Sequence, residues 1–106
     1  MYKNDFINSI HNKQKVQLVF SSKEDGCDLT RLCAPMDFGP SQRKNIKDQS
    51  DRFHLWNYES DTKNHSLSIL PEQVVRMTFL QDSFCPSEFV TWSPNWLVER
   101  DWGEFS

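Results

Sequence analysis

This sequence predicts a mainly β domain, a small, strongly bent antiparallel sheet or barrel of about five strands, on three observations. Short runs alternate apolar and polar residues with a period of two around 16–20, 29–34, 52–59, 65–70 and 74–80. Turn residues punctuate them: Gly26, Gly39-Pro40, the polar stretch 60–64 and Pro71. Helical spacing is confined to the two ends, so the class is mainly β, or α+β by count of short helices. Strands this short and twisted curl rather than lie flat.

At 106 residues the chain predicts a single domain, 1–106, with enough length for a core without covalent staples. Only 37% of it is hydrophobic, so the eight Phe and four Trp must supply much of that core. Each such ring can bury on the order of 150–250 Å². The net charge of -3 argues against a protein that binds nucleic acid with its whole surface. Charge is uneven, however. Residues 1–76 hold 11 basic and 10 acidic side chains, whereas 77–106 hold Arg100 and five acidic ones. The helix and strands thus occupy 1–80, and 81–106 is an acidic, aromatic tail.

Taken in order, Asp5 reads as the cap of a helix of two to three turns, with Phe6, Ile7 and Ile10 as its stripe and His11 in solvent. Val16, Leu18 and Phe20 mark a half-buried strand, and the polar stretch 21–28 a hairpin loop. The returning strand, 29–34, is expected to end at Pro35, with Leu32 and Ala34 on one face and Arg31 and Cys33 on the other. Arg31 reads either as an exposed strand arginine or as an anion contact. Beyond Gly39-Pro40, residues 36–50 look irregular and carry Arg43, Lys44 and Lys47, either a solvated basic loop or one that touches phosphate.

In 52–59, Phe53, Leu55 and Asn57 share one face, and Arg52, His54, Trp56 and Tyr58 the other. The first face suits a core. The second sets π surfaces beside hydrogen-bond donors, the chemistry that stacks a base or another planar ligand. Against it stands plain packing of Trp56 and Tyr58 beneath the helix or tail, and His54 as a hydrogen-bonded structural histidine. Residues 65–70 return as a strand with Leu67 and Ile69 inward, and Pro71 bends the chain. Residues 74–80 are apolar on both faces, which predicts a central strand. In the tail, Ser93-Pro94 followed by NWLVER reads as a cap and a short helix. Phe84, Phe89, Trp92, Trp96, Trp102 and Phe105 are expected to fold back on the sheet, the alternative being a tail that anchors a partner protein.

There is no GxSxG, HExxH, CxxC or glycine-rich phosphate loop, so no enzyme, cofactor or metal is predicted. The odd set of Cys27, Cys33 and Cys85, without a secretory leader or a run of about 20 apolar residues, predicts free, buried, inert thiols in a cytoplasmic protein.

The order of helix FINSIHNKQK, strands VQLVF, LTRLCAP and RFHLWNY, and segment HSLSILPEQVVRMTFL resembles the WYL domain, over roughly residues 4–80. That domain is an Sm/SH3-like β-barrel module found mostly in bacterial transcription regulators and in regulators linked to phage defence. Arg31 and Pro35 match its arginine strand ending in proline. Phe53, His54 and Leu55 stand where the family has Trp-Tyr-Leu, only the leucine shared, and Gln73 stands near a late family arginine. The resemblance implies a regulatory module sensing nucleic acid or a small anionic ligand, with Arg31, Arg52 and His54 still able to serve. The helix-turn-helix domain usual in the family has no room in 106 residues. The expected binding set is Arg31, Arg52, His54, Trp56 and Tyr58, with Arg43, Lys44 and Lys47, in a monomer or weak homodimer. The competing function is a protein-interaction module that uses the aromatic tail or an open sheet edge.

Overall fold

The computed structural model of the chain describes residues 2–22, 25–41, 48–60 and 62–106. Helix α1 (Lys3–Asn12) leads into strands β1 (Gln14–Ser22), β2 (Cys27–Gly39), β3 (Arg52–Asn57), β4 (Ser66–Ile69) and β5 (Val74–Ser83). All neighbours pair antiparallel, in one open sheet of order β4-β3-β2-β1-β5. Single 3-10 turns at Pro71–Gln73, Pro86–Glu88 and Gly103–Phe105 complete the structure. The mainly β class is therefore as predicted. No helix among the described residues is long and apolar enough to cross a membrane.

Asp5 does not cap α1. The helix begins three residues earlier, at Lys3, with Tyr2 at the N-cap position and no side-chain cap, and Asp5 sits in the first turn, where a negative charge favours the helix dipole. Phe6 and Ile10 are fully buried, and His11 is exposed. Lys13, at φ 55, ends the helix in the left-handed conformation and turns the chain directly into β1.

β2 runs straight through Pro35 to Gly39, against the expectation that proline would end it. The β2–β3 register shifts between Pro35 and Asp37, and a bulge is the one interior place where a residue without an N–H costs the ladder little. This strand, not β5, is the buried centre: Cys33, Ala34, Pro35, Met36 and Asp37 are all buried. β5 lies at the sheet edge. Its apolar double face misled because a second register shift pairs Phe20 with Val74 and Val19 with Arg76, which leaves Val75 as the unpaired extra residue, 52% exposed.

The tail folds back, as expected, but without the helix read from NWLVER; between 91 and 102 the chain only bends. Phe84, Phe89 and Trp102 are buried, with Phe84 edge-on to Trp102 at 5.5 Å and Phe89 at 5.7 Å from Phe84. The Trp102 indole donates a 2.9 Å hydrogen bond to the Ile10 carbonyl at the end of α1. The radius of gyration, 13.1 Å, equals the ~13 Å of a 100-residue domain, so the tail adds no extension.

Candidate functional site

The predicted binding residues do not form one face. Residues opposite each other on paired strands share a face of the sheet. Arg31 pairs with Leu18, and Cys33 with Val16 and Asn57, which puts Arg31 on the core-facing side. Trp56 pairs with Ala34, His54 with Asp37 and Arg52 with Gly39, on the reverse side. Arg43, Lys44 and Lys47 lie outside the described residues.

On the reverse side the expected stacking surfaces are already occupied. Trp56 is sandwiched between His65, at 4.9 Å, and Phe89, at 5.5 Å, both within 19° of parallel. His65 Nδ1 is itself fixed by donating to the Asn57 carbonyl at 2.8 Å. The Lys15 ammonium sits 5.0 Å from the Tyr58 ring centre, and the Tyr58 hydroxyl donates to Glu88 at 3.5 Å. Burial first, and then the Glu88 charge, raise the Tyr58 pKa above its ordinary value. Arg52 pairs with Asp48 at 3.3 Å, while its buried Nε has no partner among the described residues. Hydrogen bonds from Ser50 first, and the Arg52 charge after them, hold the Asp48 carboxyl below its usual range.

His54 is the hydrogen-bonded structural histidine that the sequence suggested. Its Nε2 lies 2.9 Å from the Gly39 carbonyl, which can only accept, so that nitrogen carries the proton. Nδ1 then accepts from the Ser68 hydroxyl at 2.8 Å. The ring ties the end of β2 to β4.

Two hollows remain, one on each side. The first, about 420 Å³, opens between the tail and the reverse side of β3 and β4, and His54, Ser66, Ser68, Trp92 and Trp96 line it. The second, about 410 Å³, has Arg31 beside Asn57 and Gln73 over Phe20, Leu29 and Leu67. The Arg31 Nη1 donates to its neighbour's carbonyl, Thr30, at 2.8 Å. Among the described residues no carboxylate lies within ion-pair distance of it.

A third cluster was not foreseen. Asp37, inside the apolar run of β2, accepts from the backbone N–H of Leu97 and Val98, each at 2.9 Å, and from that of Phe38 at 3.0 Å. Arg100 donates to it at 3.2 Å, to the Met36 carbonyl, and to the Val98 carbonyl at 3.0 Å. The guanidinium lies over both the Trp96 and Trp102 rings, 4.2 and 4.5 Å from their centres. Burial pulls the Arg100 pKa down to about 10 and Asp37 opposes that, so Arg100 is cationic at neutral pH. The signals were present: one acid within CAPMDF and the tail's single cation. What was missing was any reason to pair residues 63 positions apart. This cluster is a structural latch, because every polar atom it uses faces another part of the chain.

The thiols differ from expectation. Only Cys33 is buried, and burial first, then the Glu59 charge, push its pKa up to about 12. Cys27 and Cys85 are exposed. The Ser87 hydroxyl, 3.1 Å from the Cys85 sulfur, lowers that thiol's pKa. Among the described residues no three His, Cys, Asp or Glu side chains could hold a metal ion together. No family model, no curated protein and no solved structure matches the chain.

Proposed function

We propose that the chain is a ligand-binding regulatory module in which Arg31 anchors a compact organic anion in the second hollow. The observation that carries this reading is a half-buried arginine without an acidic partner among the described residues. A cation partly removed from water is costly unless paired, and a bound carboxylate offsets that cost. Phe20, Leu29 and Leu67 offer an apolar floor to the body of such a ligand, and the Asn57 and Gln73 side chains add polar groups at its edge. Asp25, also at the rim, is engaged by the Ser22 hydroxyl, which donates at 2.8 Å. The regulatory half of the reading rests on the likeness to WYL domains, and the ligand half on Arg31.

A single-stranded nucleic acid has less support. Its bases need free aromatic faces, and those of Trp56 and Tyr58 are covered by His65, Phe89 and Lys15. A protein-docking tail also has less support, since Phe84, Phe89 and Trp102 are spent on the chain's own core. The test is an amide chemical-shift titration with benzoate and phenylacetate, beside inorganic phosphate and a short oligonucleotide. Carboxylates should move Leu29, Arg31, Asn57 and Gln73, and Arg31→Gln should weaken them about tenfold or more, the equivalent of ~1.4 kcal/mol. Carboxylate shifts unchanged in Arg31→Gln, or none at all, would sink the proposal.

A further inference from the structure

We propose that the hollow on the other side, between the tail and strands β3 and β4, is a second site, and that it takes the ring of an uncharged saccharide. Three observations carry this. The first is Trp92. Among the four tryptophans, Trp102 is buried and Trp56 and Trp96 are half-buried, whereas Trp92 is 45% exposed. It stands edge-to-face against Trp96, ring centres 6.1 Å apart. Trp96 is fixed in turn by Arg100 on its face and by its indole N–H, which donates to the Phe105 carbonyl at 2.8 Å. The exposed ring thus packs against an indole that Arg100 and the Phe105 carbonyl hold in place, and a pre-positioned aromatic face binds at little entropic cost.

The second observation is the polar lining. Ser41, Ser66, Ser68 and Ser93 border the hollow with Asn95 and His54; of these, the Ser68 hydroxyl already donates to His54, and both His54 ring nitrogens are engaged. Every hydroxyl both donates and accepts, so a group of hydroxyls is matched best by a ligand whose own groups do both, which is the chemistry of a sugar ring. The apolar C–H face of that ring is what an indole covers. A volume of about 420 Å³ lies within the ~300–1,000 Å³ typical of small-ligand sites.

The third observation is charge. Asp37 is the lining group with a fixed charge, and the Arg100 guanidinium and three backbone N–H groups already satisfy it. Among the described residues no lysine or arginine lines the hollow. A phosphate or carboxylate therefore finds no counter-ion among the described lining residues, unlike in the Arg31 hollow. A nucleobase would also stack on Trp92, but Trp96 meets Trp92 at 67°, not parallel, and so forms no sandwich with it.

The full ¹⁵N-labelled chain is titrated with cellobiose, maltose and N,N′-diacetylchitobiose to millimolar concentrations, with adenosine in parallel. At least one disaccharide should shift the Trp92 indole N–H and the amides of Ser66 and Ser68. Trp92→Ala, which removes a side chain outside the buried core, should weaken that binding about tenfold or more. Ser66→Ala should weaken it less, with the rest of the spectrum unchanged. The proposal is overturned if none of the disaccharides moves these resonances, if Trp92→Ala binds as well as the native chain, or if adenosine alone binds.

Discussion

At the scale of single residues, burial separates groups that look equivalent in the sequence. The three cysteines carry no spacing signal, yet Cys33 sits in the core with its pKa pushed to about 12, and Cys85 sits in solvent with its pKa lowered. A thiol reagent should therefore modify Cys85 and Cys27 in the native protein and reach Cys33 only on unfolding, a difference read by mass spectrometry of alkylated peptides. Early modification of Cys33 would contradict its burial. The same shift makes stability depend on pH. An unfolded cysteine ionises near pH 8.5. The folded Cys33 holds its proton until about pH 12, so in that window the native state binds more protons than the unfolded one and stability falls as pH rises. Below the window the contribution is fully present. Denaturant titrations of the native chain should lose up to ~1.4 kcal/mol per pH unit more than those of Cys33→Ala across this range. Tyr58, whose pKa is raised by burial first and in small part by the Cys33 charge, adds a loss of the same sign above its own ordinary value, so the comparison is read below that value.

At the scale of elements, the existence of the strands was legible, because periods of two are written in single residues such as Val16, Leu18 and Phe20 or Phe53 and Leu55. Their neighbours and ends were less so. Pro35 reads as a stop, and Val74–Leu80 as a central strand, unless one knows where the ladder slips, and a register shift depends on two strands at once. The sequence 93–100 has a cap, a first-turn proline and good helix formers, but tertiary demand wins. Asp37 takes the N–H groups of Leu97 and Val98. Arg100 is drawn in beside them. The binding set does not share one face for a related reason: alternation within β3 grouped its residues correctly, while Arg31 belongs to another strand and face. The latch makes a firm prediction. Arg100 has a fully buried side chain and Asp37 is 8% exposed, so Arg100→Ala leaves an uncompensated carboxylate inside. The expected cost is about 3–5 kcal/mol, seen as a fall in denaturation midpoint. The pair Asp37→Leu and Arg100→Met removes both charges and should cost clearly less than the sum of the single changes. A double-mutant cycle with no coupling would show that the contact carries no energy.

At the scale of the whole molecule, the sheet and the tail share one buried cluster. Of the sixteen buried apolar residues described, Phe84, Phe89, Val90 and Trp102 come from the tail. Burying a large apolar side chain contributes about 1.5–3 kcal/mol, and a small domain is stable by only ~5–15 kcal/mol in total. Removing four such residues removes a large part of that margin. It also uncovers Trp56, which loses Phe89 from its face, and the Ile10 carbonyl, which loses the Trp102 indole. A chain ending at Ser83 keeps every strand and should nevertheless not fold cooperatively. Its far-ultraviolet dichroism should fall, and it should bind a hydrophobic dye that the full chain excludes. The full chain should show coincident loss of tryptophan and backbone signals, since the tail tryptophans report on the same transition as the sheet. A truncated chain with a sharp transition near the native midpoint would instead make the tail an appendage. The two hollows would then part company too. The Arg31 hollow is lined entirely by residues before 74 and needs no tail. The Trp92 hollow is assembled from β3, β4 and the tail together. A ligand of the second hollow must therefore raise the melting temperature by holding the tail in place, and Arg100→Ala must weaken that ligand from outside the hollow while leaving carboxylate binding at Arg31 unchanged wherever the chain remains folded.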